Sequence, residues 1–359
     1  MRKIKVIITG AGGSASIGFC RSLRDARTDY EIIGLDCDKY HLCLADADFK
    51  YLIPKADSHE YIPFVNFIAD RHQADFLHSQ PDPEIEVLSE NRDKLSVKTN
   101  FPAKEAVDRC LNKFTSYKLW QQSGLTVPET MLLNNKADLD RAMGRLGPKV
   151  WIRNVKGAAG KDALPTCDFE EAKAWIDFCK GWGRVTASKY LSDKTVTWQS
   201  LWNKGELVVA QSRLRKYWEF ANRSPSGVTG LTGTGITVSD DRVDKIALKC
   251  IYAVSAEPNG IFSVDMTYDE KDIPNPTEIN IGRFFTTHYF FTKAGLNFPD
   301  IYVRISLGMD VDLPLKRINP LASELAWVRG LDSYPVLTNA AEIERHSEGL
   351  EKIRKKIFK

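Results

Sequence analysis

The sequence predicts an α/β protein: a doubly wound, Rossmann-like N-terminal domain followed by further lobes built on mixed and antiparallel sheets. Three observations carry this. Residues 3–9 are a short apolar run that ends in GAGGSASIG, and a second apolar run, EIIGLD, ends on Asp36. Apolar runs then alternate with segments of helical period over about the first hundred residues. Much farther on, residues 260–283 (GIFSVDMTYDEKDIPNPTEINIGR) read as two short strands joined by an acidic, proline-rich turn.

Residues 3–9 have the apolar content of a strand covered on both faces. The glycine turn at residues 10–18 lets a helix start close against it and run to about residue 27, and residues 31–36 form the next strand. A strand at 51–54, a helix at 59–71, a strand at 76–79 and a helix from about residue 85 continue the alternation, so the first domain closes near residue 108. A new unit starts at Asn112, with a helix that Gly124 stops. Residues 125–133 are extended around Pro128, a helix follows at 137–146, a strand at 149–153, and then the loop VKGAAGK at 155–161. Next come a helix at 169–179 and extended segments at 184–191 and 194–202. Asn203, Lys204 and Gly205 make a hairpin turn into a strand at 206–212. Residues 224–235 are a Gly/Ser/Thr-rich loop, either a cover for a substrate or a plain connection, and a helix at 240–255 leads to the strand pair. Helices continue to about residue 309, and the tail holds one more.

A chain of 359 residues is long enough for more than one core, and 43% hydrophobic with 27% charged residues is the balance of a soluble globular protein. A net charge of +3 makes no electrostatic case for nucleic acid or an anionic membrane. The one basic concentration, residues 352–359, reads as a solvated terminal helix. No apolar run approaches the roughly 20 residues that span a bilayer. The start, MRKIKVIITGAGG, fits a first strand better than a signal peptide. Seven cysteines are scattered, odd in number and without a CxxC pair, which suits reduced thiols and a cytoplasmic location. Cys37, His41 and Cys43 lack a fourth ligand for zinc. The sequence around Ser14 and Ser16 shows no identifiable His/Asp motif, so hydrolase chemistry is not supported.

The chemistry concentrates in the strand pair. Glu278 and Asn280 are two apart, so both face one side of a strand, and antiparallel pairing brings Asp265 beside them. Two carboxylates and an amide oxygen suit Mg²⁺, with Mn²⁺ as a second possibility, the remaining ligands coming from phosphates and water. Arg283, just beyond, has the planar fork that holds a phosphate oxygen. In VKGAAGK, Gly157 and Gly160 allow close backbone approach to phosphates, although the spacing is not that of a P-loop; an ordinary surface loop is the alternative. Arg153 lies in the otherwise apolar strand before it and needs a counter-ion. GAGGSASIG, with Asp36 downstream, allows a dinucleotide, an anion at the helix N-terminus, or a purely structural turn.

Three segments together resemble the ATP-grasp superfamily, and within it the carbamoyl-phosphate-synthetase-like carboxylate–amine ligases, over roughly residues 4–310. They are LNKFTSYKLWQQSGLTVP (111–128), PKVWIRNVKGAAG (148–160), and D-x-M…PTEINIGRF followed by KAGLNFPD (293–300). The resemblance implies a pre-ATP-grasp domain at 1–108 and a two-lobed ATP-grasp domain at 109–310, divided into a small lobe at about 113–190 and a metal-bearing lobe at about 191–310. A C-terminal helical extension at 311–359 completes the chain. It implies that Lys113 and Arg153 contact ATP phosphates, that residues 157–161, ending on Lys161, close over them, and that Tyr190 and Leu191 form the adenine hinge. It implies Asp265, Glu278 and Asn280 as Mg²⁺ ligands and Arg283 as the catalytic group at the transferring phosphoryl. SQPDPEIEVL resembles the family's D-x-E turn, which puts Asp82 and Glu84 in the substrate cleft; an acidic helix start is the equal alternative. His288 is a further candidate near the acylphosphate.

The chain departs from the family at two places. Lys189 stands where an acid precedes the hinge pair, and Thr195 where a glutamate reaches the ribose. The resulting expectation is an ATP- and Mg²⁺-dependent ligase that joins a small-molecule carboxylate to an amine through an acylphosphate, with neither nucleic acid nor membrane as partner, and a homodimer by family analogy. A nucleotide-binding protein without catalysis is the first alternative. A nicotinamide-dependent oxidoreductase is the second, and it leaves the Asp265/Glu278/Asn280 group unexplained.

Overall fold

The structure is a computed structural model that describes residues 2–158, 160–331 and 333–358. The first domain holds five parallel strands, β1 (Ile4–Thr9), β2 (Tyr30–Asp36), β3 (Phe49–Leu52), β4 (Phe76–Ser79) and β5 (Lys98–Thr99), in the order β3-β2-β1-β4-β5. Helices α1 (Ser14–Arg24), α2 (Lys39–Leu44), α3 (Tyr61–His72) and α4 (Asp82–Glu90) connect them. Val6, Ile7, Ile8, Ile32 and Ile33 have no exposed surface, as strands covered on both faces require. The glycine turn has a use within the fold. The Asp36 carboxylate accepts the N–H groups of Gly12 (3.0 Å) and Asp38 (2.9 Å), and a Cβ on Gly12 would lie 1.9 Å from the His41 carbonyl. The acid that a dinucleotide ribose would need instead pins the turn, and the chain itself fills the space above Gly12. These features count against the oxidoreductase alternative.

Helix α5 (Lys104–Leu111) runs across the boundary expected at residue 108 and leads into α6 (Lys113–Gln122). The Asn112 side chain caps α6 by accepting from the N–H groups of Phe114 and Thr115 at 3.1 and 3.2 Å. The small lobe is an antiparallel sheet, β6 (Thr130–Leu133), β7 (Val150–Asn154), β8 (Leu164–Thr166) and β9 (Val185–Lys189), in the order β6-β9-β7-β8. Helices α7 (Lys136–Leu146) and α8 (Phe169–Phe178) cover it around its own core of Leu133, Leu139, Ile152 and Ile176.

The large lobe is a six-stranded antiparallel sheet, β10 (Thr195–Asn203), β11 (Glu206–Arg215), β12 (Thr234–Val238), β13 (Gly260–Tyr268), β14 (Pro274–Ile281) and β15 (Ala326–Val328), in the order β14-β13-β10-β11-β12-β15. One face packs Trp198, Trp202, Val264 and Met266 with Cys250, Ile251 and Val254 of α9 (Asp241–Val254). The opposite face carries Thr197, Gln199, Arg213, Ser263 and Asp265, and farther along packs Leu201, Val209 and Ile261 with Ile8 and Phe76 of the first domain. Helices α10 (Tyr289–Lys293) and α11 (Phe298–Ser306) return to α1, where the Ser22 and Thr292 hydroxyls meet at 2.8 Å.

The C-terminal region corrects the expectation of a helical extension. Residues 311–339 are mostly irregular among those described, β15 pairs with β12, and Ala210 accepts the Asn319 N–H and donates its own N–H to the Arg317 carbonyl. The physical reason is the edge of β12, whose N–H and C=O groups need partners that only a distant segment supplies. Among the described residues of this region, α12 (Ala340–Ile357) alone is helical, capped by Asn339, and it docks on the first domain instead of standing in solvent. Ile353 is 5% exposed within that contact, and Arg354 holds Glu60 with hydrogen bonds of 2.7–3.0 Å. Among the described residues, no helix is long and apolar enough to cross a membrane.

Candidate active site

The site grows out of register. Arg213, Thr197, Asp265 and Glu278 are direct cross-strand neighbours on β11, β10, β13 and β14, and Gln211, Gln199, Ser263 and Asn280 form the next row on the same face. A bulge in the β13–β14 pairing, beyond Asp265, leaves Thr277 as the extra residue. It resets the phase of β14, so that Glu278 and Asn280 both face Asp265 while Ile279 and Ile281 stay in the core. The Asn280 amide donates to Asp265 Oδ2 at 2.9 Å, and the Thr197 hydroxyl donates to Oδ1. The expected oxygen cluster is therefore assembled. Among the described residues, no group of three or more His, Cys, Asp and Glu side chains is placed to hold a metal, so the cluster offers two carboxylates and an amide.

Cations ring this cluster. Lys113, at the start of α6, places Nζ 3.3 Å from Glu278 Oε2 and donates to the Gly157 carbonyl. Arg153 on β7 lies 3.8 Å from the same oxygen and donates to the Thr277 carbonyl at 2.7 Å. Arg283 donates to Asn280 Oδ1 and pairs with Asp82 at 2.5 Å, a contact made from the first domain. Burial by itself would raise the Glu278 carboxyl, but Lys113, Arg153 and Arg283 outweigh it and hold it below the ordinary range. Burial lowers Arg153, with Glu278 and Asp265 opposing.

Two arginines of this face went unread in the sequence. Arg213 is 1% exposed, and burial first, then the neighbouring Arg215, push its guanidinium down to about 9 against the pull of Asp265. Arg215 lies 4.0 Å from Asp265, donates to Thr195 Oγ1 at 2.8 Å and stacks on Trp218. The R-x-R spacing was the available signal, but the strand was expected to stop at residue 212. Nε of Arg153 and Nε of Arg213 are buried without a hydrogen-bond partner among the described residues. Orphaned donors beside two carboxylates and an amide fit a phosphate–Mg²⁺ group, with Asp265, Glu278 and Asn280 on the metal and the cations on the phosphates.

The glycine loop reaches the same place. Gly157 and Gly160 have φ of +113° and +66°, and a Cβ on Gly160 would lie 2.6 Å from the Val228 carbonyl. The small-lobe flap thus abuts the loop at 224–235. Lys161 sits at its end, and Ala159 lies outside the described residues. The space between Lys113, Arg153, Thr186 and Thr277 is about 10 Å³, room for about one water.

Other expected residues fall differently. Lys189 ends β9, is exposed, and donates its N–H to the Glu129 carbonyl at 2.9 Å. The Lys149 ammonium covers the Tyr190 ring at 3.9 Å, and Leu191 is half-buried beyond it. Thr195 spends its hydroxyl on Arg215, and no carboxylate replaces the expected glutamate at this position. Asp82 and Glu84 diverge. Asp82 joins Arg283, whereas Glu84 is 4% exposed beneath β4, receives the Ser79 hydroxyl at 3.3 Å, and is raised by burial to about 7. The D-x-E pair does not line one cleft, because a helical start turns positions two apart to different sides. His288 is also corrected. It is fully buried under α1, with Nε2 3.0 Å from the Ala15 carbonyl and its ring 4.9 Å from Phe284, and burial lowers it to about 4.

Residues 6–100 match the family described as PylC-like, N-terminal domain. A phosphoadenosine 5'-phosphosulfate reductase of Pectobacterium carotovorum subsp. carotovorum (strain PC1) is 24% identical over 104 residues, which are 28% of this chain and 43% of that protein. The chain thus matches less than half the length of that curated relative. N5-carboxyaminoimidazole synthetase of Staphylococcus aureus in complex with ADP superimposes with a TM-score of 0.67 at 16% identity, covering 87% of this chain and 80% of that one. The biotin carboxylase domain dimer of Hydrogenobacter thermophilus 2-oxoglutarate carboxylase, with MgADP, ADP and bicarbonate, gives 0.68 at 13%, covering 91% and 74%. L-amino acid ligase of Bacillus licheniformis gives 0.65 at 14%, covering 86% and 75%. At these identities the likeness is one of fold alone: the chain shares the fold of these three enzymes, and residues 6–100 match the PylC-like N-terminal domain.

Proposed function

We propose that the protein is an ATP- and Mg²⁺-dependent ligase that activates a carboxylate as an acylphosphate and passes the acyl group to an amine. The observation that carries this reading is the row Arg213–Thr197–Asp265–Glu278, with Lys113, Arg153 and Arg283 converging on it. Phosphoryl transfer asks a protein for positioned charge more than for a covalent nucleophile, and the row supplies both signs in register. Lys113 and Arg153 hold the phosphates of ATP, and the flap closes over them against the loop at 224–235. Asp265, Glu278 and Asn280 hold Mg²⁺, which neutralises phosphate charge when bound; Mn²⁺ accepts the same oxygens. Arg283, oriented by Asp82, steadies the transferring phosphoryl group and the carboxylate that attacks it. The folds of an amino acid ligase and two carboxylating enzymes support this reading.

A second reading, nucleotide binding without turnover, draws on Lys189 and Thr195, which leave the hinge and ribose without their acids. Release of ADP with Mg²⁺, ATP and pooled amino acids and small carboxylates separates the two. Acceptor-dependent ADP release, lost in Glu278→Gln, is the expected result. Calorimetric ATP binding with no release in any pool would favour the second reading, and absence of ATP binding would sink both.

A further inference from the structure

Away from this site, α12 and the first domain enclose a cleft of about 240 Å³ lined by Lys50 and Arg71 on one wall and by Arg345, His346, Lys352 and Lys356 on the other. Tyr51, Leu52, Leu350 and Ile353 make its apolar floor. Among the described residues, no carboxylate lines it. Of the four glutamates on the helix, Glu344 and Glu351 are taken by Lys39 and Arg354, Glu342 accepts from the Thr338 hydroxyl, and Glu348, one turn from Arg345 and Lys352, forms no ion pair with either among the described residues. Among the described residues, Arg71, Arg345, Lys352 and Lys356 form no ion pair. Lys50 also donates to the Cys43 carbonyl at 3.0 Å, while Arg71, Arg345, Lys352 and Lys356 are exposed, so the recess carries a single sign of charge that an anion would neutralise.

Position 349 adds an independent observation. Gly349 stands inside a helix, where glycine costs about 1 kcal/mol relative to alanine. A Cβ there meets nothing within 4 Å, so packing does not require glycine. It lines the cleft, and its missing side chain leaves the recess open.

We propose that this cleft binds a small soluble molecule carrying two or more clustered phosphate groups. Cations on facing walls enclose a compact polyanion, whereas a flat patch would suit a membrane or nucleic acid. The volume falls just below the usual range for small-molecule sites, which suits a ligand whose bound part is little more than its phosphates.

Calorimetry with inorganic pyrophosphate as the probe tests this in the full chain. The variants are Arg345→Gln/Lys352→Gln on the helix, Arg71→Gln on the facing wall, and Lys245→Gln as a charge control on exposed α9 surface. The double variant is expected to bind pyrophosphate at least about tenfold more weakly, and Arg71→Gln to weaken it as well. Lys245→Gln should match wild type, with the same unfolding temperature and the same ADP affinity in all four proteins. Equal pyrophosphate affinity in all four would overturn the proposal, as would no binding to wild type. Variant-sensitive binding of RNA oligonucleotides or phosphoinositide vesicles, with none of pyrophosphate, would overturn it too.

Discussion

At the scale of single residues, the site is a balance of opposed charges at fixed register. Replacing Glu278 by Gln removes the carboxylate on which Lys113 and Arg153 converge, and a loss of about a hundredfold or more in turnover is expected, with the fold intact by circular dichroism. Arg283→Gln should act in the same direction, and it also strands Asp82. Glu84 gives a pH test unconnected to turnover. Its folded carboxyl is raised from 4.5 to about 7, so the folded state holds the proton more tightly than the unfolded chain. Its contribution to stability is fully present below pH ~4.5 and is lost as pH rises toward 7, a difference of roughly 3 kcal/mol. Glu84→Gln should remove that loss, so its unfolding temperature relative to wild type should rise between pH 5 and pH 8. An unchanged difference would contradict the assignment.

At the scale of elements, what was legible in the sequence follows from local physics. GAGGSASIG, EIIGLD and the strand pair around Asp265 announce themselves by apolar alternation and turn residues, and the expected pairing of Asp265 with Glu278 is the pairing observed. Short elements that exist only through tertiary pairing were not legible: β5, β8 and β15 have two or three residues each, and β15 forms because the β12 edge needs partners. Arg213 and Arg215 were missed for a related reason, since their meaning lies in β11 continuing beside β10, which no local pattern states. Glu84 and His288 were misread because exposure, and not identity, separates a cleft group from a core group. The flap makes its own prediction. Gly160→Ala adds a Cβ at positive φ against the Val228 carbonyl, so the flap should close poorly. A raised KM for ATP and a lowered kcat are expected with little change in unfolding temperature. Unaltered kinetics would mean that this contact is not part of closure.

At the scale of the whole molecule, the chain is stitched front to back. Asp82 reaches Arg283 from the first domain, Gln80 accepts the Phe284 N–H at 3.0 Å, and α12 returns to β3 and α3. Arg283 is therefore positioned by a residue 201 places earlier, and the first domain shapes the cleft as well as packing beside it. Ile353→Asp should release α12 by burying an unpaired charge, lower the unfolding temperature and expose residues near 340 to protease. An unchanged digestion pattern would show that the ion pairs alone hold the helix. The central claim is chemical, however: a carboxylate oxygen of the substrate becomes bonded to the γ-phosphorus of ATP. Once the assay pools reveal an acceptor pair, the carboxylate is labelled with ¹⁸O and the released phosphate is examined by mass spectrometry. One label per phosphate, dependent on the amine for turnover and absent with Glu278→Gln, is the predicted result; phosphate released without label would contradict activation through an acylphosphate.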